Sequence, residues 1–237
     1  MTKKISKHKW NHILIAVLAI CVCVTGGIYG YTALKGNTVY ISGTIVERDL
    51  NDLMEKSCLV AEGTVIDSSE SFQIKSSTGA IANYTDYNFK ISDQLRGETE
   101  ATEVTIRVQG GTVDEYTEIY EDSPSLEVGD TYLVFLYKPG RGGAFNTDGD
   151  YYYVLGLTQG IFTENSDGDY ISQSGVTVST YELQKELTSV NDLSIDELYF
   201  RNEYIENQKR NIETGFITQE EYDTLMENID NYATIVK

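Results

Sequence analysis

Residues Ile13 to Leu34 form an unbroken, uncharged and mostly apolar run of 22 residues. A helix of that length reaches roughly 33 Å at about 1.5 Å per residue, enough for a hydrocarbon core about 30 Å thick. Lys3, Lys4, Lys7 and Lys9 precede the run, and every acidic residue follows it, beginning at Glu47. A Lys cluster of this kind is retained on the cytoplasmic side. The pattern predicts a basic cytoplasmic stub over 1–12, one transmembrane helix over 13–34 and an acidic body outside the cell membrane. A cleaved signal peptide would share the basic start and the apolar core Ile13–Val24, but Tyr31-Thr-Ala33-Leu34 is a poor cleavage site. Leu18-Ala-Ile-Cys21 departs from a lipoprotein box because Ile20 is not small. Cys21 and Cys23 then read as apolar residues of the span. Gly26 and Gly30 form a small-xxx-small pair on which another helix could approach closely.

Charge narrows the partners. The chain has 18 basic and 37 acidic residues. Five of the basic ones lie in the first 36 positions, which leaves 13 against 37 beyond them, a net −24. Nucleic acid is excluded as a partner, since binding it rests on neutralising phosphates. A cationic partner or a divalent ion is favoured, and solubility at a cell surface is served as well.

The outer part has one cysteine, Cys58, and no histidine, because His8 and His12 precede the apolar run. No internal disulfide can form there. Zinc sites built on His or Cys are excluded, and so are Ser-His-Asp and Cys-His nucleophile systems. Carboxylate-only chemistry survives, but a glycosidase pair is defined by its separation in space and cannot be picked out among 37 acids. Gln109-Gly-Gly111 and Arg141-Gly-Gly143 lack the Gly-Lys-Ser/Thr of a phosphate loop and read as turns. No motif calls for a cofactor.

Along the chain, Asn37–Val46 alternates as a strand, and Asp49–Ser57 reads as a short helix capped by Asp49; the lead-in covers 35–57. From Cys58 the period becomes two. Leu59–Asp67 is a strand with Gly63 as a bulge or bend. Tyr87, Phe89 and Ile91 alternate, as do Val104, Ile106 and Val108. Thr131–Tyr137 is nearly all apolar or aromatic, as in a strand buried on both faces. Tyr151–Leu155, Ile161–Glu164 and Val176–Val178 continue the series. Many short strands with Gly-rich turns predict a mainly β body over 58–180, a barrel or a sandwich. From Tyr181 the period is helical. Tyr181–Leu187 is a short helix, Ser194-Ile-Asp-Glu197 opens a helix that Gly215 stops, and Thr218-Gln-Glu-Glu221 opens the last one. This predicts a helical hairpin in 181–237.

Asn146-Thr-Asp-Gly-Asp150 and Asn165-Ser-Asp-Gly-Asp169 look at first like calcium loops. With Gly149 or Gly168 at the sixth position, Ala144 or Thr163 falls at the first and Leu155 or Ser174 at the twelfth, so neither matches an EF-hand. Asp-Gly between strand-like segments predicts a tight hairpin turn instead. Asp148, Asp150, Asp167 and Asp169 are kept as weak candidate cation ligands. Cys58 at the edge of an apolar strand reads as a small buried hydrophobe. Asn83-Tyr-Thr85 has the form of a glycosylation sequon.

The run Asp49–Val65 resembles the opening of a family of exported Gram-positive bacterial proteins of unassigned function. Leu95-Arg-Gly97 before a strand ending in Gly110-Gly111, Leu126–Leu136, and Leu157-Thr-Gln-Gly-Ile-Phe162 resemble later pieces of the same family. Together they span about Asp49 to Val178. Cys58 stands where such proteins usually have an Asp. More distantly, the pattern is similar to the netrin-like domain of tissue inhibitors of metalloproteinases. That resemblance implies an OB-like five-stranded β-barrel. Inhibition does not carry over, because the metal-binding N-terminal Cys and the disulfides of those inhibitors are missing. The anchor, the acidic charge and the lack of His and paired Cys in the outer part predict a membrane-anchored extracytoplasmic binding module with no identifiable catalytic site, its partner a protein or a cationic envelope component. The alternatives are a carboxylate-dependent hydrolase of envelope glycan and a docking subunit of a membrane complex.

Overall fold

The computed structural model describes residues 37–43, 45–76, 79–97, 99–139, 144–189, 197–227 and 234–236. The basic stub, the run Ile13–Leu34, the Arg141-Gly-Gly143 turn and Ser194 of the capping box lie outside them. Among the described residues no helix is long and apolar enough to cross a membrane.

The body is mainly β. The first strands are β1 (Asn37–Ile41), β2 (Leu59–Ser68), β3 (Phe72–Lys75), β4 (Ile81–Arg96) and β5 (Glu103–Gln109). There follow β6 (Gly111–Val113), β7 (Tyr116–Tyr120), β8 (Thr131–Tyr137) and β9 (Tyr153–Val154). The last are β10 (Ile161–Glu164), β11 (Tyr170–Ser172), β12 (Thr177–Val178) and β13 (Thr234–Val236). The long strand β4 organises the main sheet. It pairs antiparallel with β3 and β2 in succession along one edge, and with β5 along the other. β2 continues to β8, β8 to β10, and β10 through β11 to β12. β1, β7 and β6 form a separate small sheet in which β1 runs parallel to β7.

The barrel expected from the sequence is corrected here to an open sheet. β9 pairs with β8, but between β9 and β5 there is no ladder, only one parallel bridge between Ile106 and Tyr152. Arg107 N donates to Tyr152 O and Tyr152 N to Thr105 O, both at 2.8 Å. Two residues of β9 are too few to extend the pairing, because the chain bends through Asp148–Asp150 just before it. At the other end of the sheet a strand unforeseen in the helical region appears. β13 pairs antiparallel with β3, Ile235 opposite Ile74, so the segment 181–237 is not wholly helical.

Two hydrophobic layers explain why β8 is apolar throughout. Val134 and Leu136 point into a cluster with Leu59, Val65, Phe89 and Ile106 between the strands. Leu133 and Phe135 point the other way, into a cluster covered by α1 (Leu50–Lys56) and α2 (Thr180–Ser189) through Leu53, Met54 and Leu183. Full burial of each such side chain stabilises the fold by about 1.5–3 kcal/mol. α1 is capped as the sequence predicts, Asp52 N donating to Asp49 Oδ1 at 2.8 Å. α2 has a capping box of its own, in which Ser179 N and Oγ donate to Glu182 Oε2 at 3.0 and 2.8 Å.

β2 bulges at Gly63, where its register against β4 shifts. A Cβ there would meet Lys90 O at 2.3 Å and the Phe89 ring at 2.7 Å, so only glycine permits the approach. α3 (Glu197–Glu213) ends at Gly215, φ 73°, with Gly215 N bonded to Ile212 O and Phe216 N to Asn211 O. Thr218 then caps α4 (Gln219–Glu227) through a reciprocal bond with Glu221.

Candidate functional site

Strand register brings aromatic rings together on the side of β4 and β5 opposite the main core. Tyr137 on β8 stands across from Tyr153 on β9, and their ring centroids are 5.7 Å apart. Tyr84 on β4 lies 6.5 Å from Tyr153 and 6.1 Å from Phe145. With Tyr204 of α3 these rings line a cavity of about 400 Å³, floored in part by Arg107. That volume lies within the range of small-molecule sites, about 300–1,000 Å³. No Asp or Glu stands among the described residues that line it.

Arg107 is the organising side chain, 6 % exposed. It lies in the apolar stretch Val104–Val108, and alternation sends it away from Val104, Ile106 and Val108 to the cavity side. Its Nε and Nη2 donate to Asp86 Oδ1 and Oδ2 at 2.7 and 2.8 Å, and its Nη1 donates to Thr147 Oγ1 at 2.7 Å. Its guanidinium carbon lies over the ring of Tyr151, 3.8 Å from the centroid, and over that of Phe72 at 4.9 Å. Burial works against its charge, but the hydrogen bonds and charge of Asp86 outweigh it and hold the guanidinium protonated above its usual range. Tyr151 in turn packs edge-on against Tyr153 at 5.5 Å. Its hydroxyl accepts from Thr147 N at 2.8 Å and donates to Thr147 O at 3.1 Å.

Burial pushes the phenols of Tyr84 and Tyr153 far above the ordinary tyrosine range, and the neighbouring tyrosines add to the effect. Both hydroxyls therefore stay neutral at any physiological pH. Leu157 stands at the mouth with φ 57°, a left-handed conformation that costs a non-glycine residue about 1–3 kcal/mol. The turn that carries it is held by Gln159, whose Oε1 accepts from Arg48 N at 2.7 Å and whose Nε2 donates to Val46 O at 3.0 Å. The lead-in segment thus braces the cavity rim.

The four candidate aspartates of the acidic turns, Asp148, Asp150, Asp167 and Asp169, do not line this cavity, although Asn146 at the start of the first turn does. Asn165–Asp169 is a hairpin turn between β10 and β11, as expected. Asn165 Oδ1 accepts from Asp167 N and Asp169 N, which orients the backbone. Asn146–Asp150 is not a hairpin turn but part of the long β8–β9 connection, because Thr147 is drawn inward to Arg107 and Tyr151. Asp148 is exposed, and Asp150 pairs with Lys138 at 2.7 Å. Among the described residues no three His, Cys, Asp or Glu side chains group as a metal site. Cys58 is half-buried, and burial raises its thiol pKa. Asn83 of the sequon is wholly buried. Its amide donates to Gly111 O and Tyr116 O, and its backbone N donates to the buried Glu118 at 2.8 Å. Its role is to tie the small sheet to β4.

The aromatic site was not singled out from the sequence, although two signals for it were present. One is the triplet Tyr151-Tyr-Tyr153, whose alternation puts Tyr152 in the core and the outer two beside Arg107. The other is Arg107 itself, a charge set between Ile106 and Val108 in the middle of β5. No protein-family model matches the chain, and none of the curated proteins matches it significantly.

Proposed function

We propose that the chain is a binding module held at the cell membrane by residues 13–34, its body displayed outside the cytoplasm, and that its ligand enters the aromatic cavity. The body is read as OB-type. In support, β9, β8, β2, β4 and β5 are neighbours in that order, and β5 meets the residue before β9 in parallel. The observation that carries the function is the cavity of Tyr84, Tyr137, Phe145, Tyr153 and Tyr204 around Arg107. Concave aromatic walls with a few placed polar groups favour binding. A glycan hydrolase would need two carboxylates facing the substrate, whereas the described wall presents rings.

The test is co-sedimentation of the full chain, in nanodiscs, with insoluble envelope polymer. Wild type should be retained. Tyr153→Ala and Tyr84→Ala, each first verified as folded by circular dichroism, should wash through. Equal retention of all three would reject the cavity as the binding face. Protease shaving of intact cells checks orientation, and a protected acidic body would overturn the display outside.

A further inference from the structure

Of the described strands, those of the small sheet begin nearest to the anchor along the chain. Leu34 ends the apolar run and Asn37 opens β1. The chain between them reaches at most about 11 Å. The polar headgroup layer on each side of a bilayer is itself about 5–8 Å deep. With 13–34 in the bilayer, β1 begins at or just above the headgroups. Tyr116, opposite Asn37 in the parallel ladder, begins there with it.

The two faces of this sheet differ. Its register sets Thr38 beside Thr117 and Tyr40 beside Ile119, and the hydroxyls of Thr112 and Thr117 are bonded at 2.9 Å. Alternation puts these five side chains on one face. The other face turns to β4. There Glu118, the only charged residue of the three strands, is buried and accepts from Asn83 N at 2.8 Å and from the Tyr120 hydroxyl at 3.2 Å. The outward face is therefore uncharged in a body of net −24, and its largest side chains are open, Tyr40 at 68 % and Ile119 at 39 %. A tyrosine at headgroup level sets its ring against the acyl boundary and keeps its hydroxyl in the polar layer. Threonine hydroxyls donate to phosphate and ester oxygens. Asp114 and Glu115, exposed in the β6–β7 turn, border the face at its anchored end and are repelled by anionic lipid, so a zwitterionic surface fits it. The tether makes the encounter intramolecular, and weak contacts then suffice.

We propose that the outward face of the small sheet, Thr38, Tyr40, Thr112, Thr117 and Ile119, lies on the zwitterionic surface of the bilayer that holds the anchor. This rests on the membrane-anchor reading and adds the orientation of the body upon it. β1 then runs along the bilayer rather than away from it. Gln109 of the cavity wall stands two residues before Gly111 of β6, so the cavity is held beside the membrane as well.

The test uses the full chain with Trp10→Phe, which removes the only tryptophan. It is placed in phosphatidylcholine nanodiscs with and without lipid brominated on its acyl chains. Tyr40→Trp, Ile119→Trp, Val39→Trp and Val176→Trp are then added one at a time, each verified as folded by circular dichroism. Tyr40→Trp and Ile119→Trp should each lose about half of their emission to brominated lipid, as a ring at the interface does. Val39→Trp, on the other face of the same strand, should lose clearly less, and Val176→Trp, beside β12 at the far end of the main sheet, should lose none. Equal quenching of Val39→Trp and Tyr40→Trp would mean a sheet standing upright on its tether. Emission that is blue-shifted but unquenched at Tyr40→Trp and Ile119→Trp would assign the face to a protein partner. Unshifted, unquenched emission there would mean a body held off the bilayer, and quenching of Val176→Trp as strong as of Ile119→Trp would mean no preferred face. Each of these four results overturns the seating and leaves the anchor standing. A chain that fails to co-elute with the nanodiscs would overturn the anchor, and the seating with it.

Discussion

Arg107 and Asp86 stand directly opposite each other on β5 and β4, joined by two hydrogen bonds of 2.7 and 2.8 Å. The pair is one rung of the ladder, so its geometry is set by register rather than by two free side chains. Asp86→Ala leaves a buried guanidinium without its counter-charge and should destabilise by about 3–5 kcal/mol. The double variant Asp86→Leu/Arg107→Met should lose less than Asp86→Ala alone, because it strands no charge. Urea unfolding of all three proteins checks this. A double variant worse than the single one would mean that the pair stabilises beyond its own desolvation.

Alkali should divide the tyrosines into two groups. Tyr120 is pushed up to about 12, first by burial and then by the charge of Glu118. Tyr84 and Tyr153 lie higher still through burial. A raised folded pKa means that the neutral phenol supports the fold. That support is complete below pH about 10, the unfolded value, and is lost as pH rises through the folded one. Phenolate absorbance should therefore rise in two steps, the second coinciding with loss of near-ultraviolet dichroism at about pH 12 or above. A single step near pH 10 with the dichroism intact would show that these rings are open to solvent.

Two glycines of similar sequence context should behave differently. Gly63→Ala forces a Cβ against the Lys90 carbonyl and the Phe89 ring and should destabilise by about 1–3 kcal/mol. Gly43→Ala meets nothing within 4 Å and should stay within about 0.5 kcal/mol. Thermal melts of both variants provide the comparison. Equal losses would mean that the bulge in β2 relaxes around the added methyl.

Ending the chain at Glu227 removes β13 and leaves the outer edge of β3 unpaired, with Gln73–Lys75 exposed as a pairing template. The truncated protein should self-associate with rising concentration, seen by light scattering after size exclusion. Ile235→Pro, which places a proline in the middle of the three-residue strand, should do so more weakly. Monodisperse behaviour of the truncated chain would show that β3 does not depend on β13 for cover.

Local structure was legible wherever one residue decides it. Asp49 as a cap, Thr218 with Glu221, Gly215 as a stop and Gly63 as a bulge follow from backbone needs met within a few residues. The apolar run Thr131–Tyr137 announced two buried faces, and α1 and α2 supply the second cover. Asn146–Asp150 misled because an Asp-Gly pair favours a turn locally, whereas Thr147 obeys a distant demand, the third nitrogen of Arg107. β13 left no signal, since three residues carry too little period to read.

Charge, the lack of histidine after His12 and the strand periods are properties of the chain itself, and they bound both the β class and the chemistry before any folding is considered. The cavity belongs only to the folded molecule. Tyr84, Arg107, Tyr137, Tyr153 and Tyr204 come from four strands and a helix, and register and a single parallel bridge bring them together. The open sheet was likewise decided by contact, because β9 has two residues to offer and β5 finds just one place to meet it. Hydrogen-bond pairing between distant strands depends on where the chain bends, and bends are set by buried partners far away in sequence.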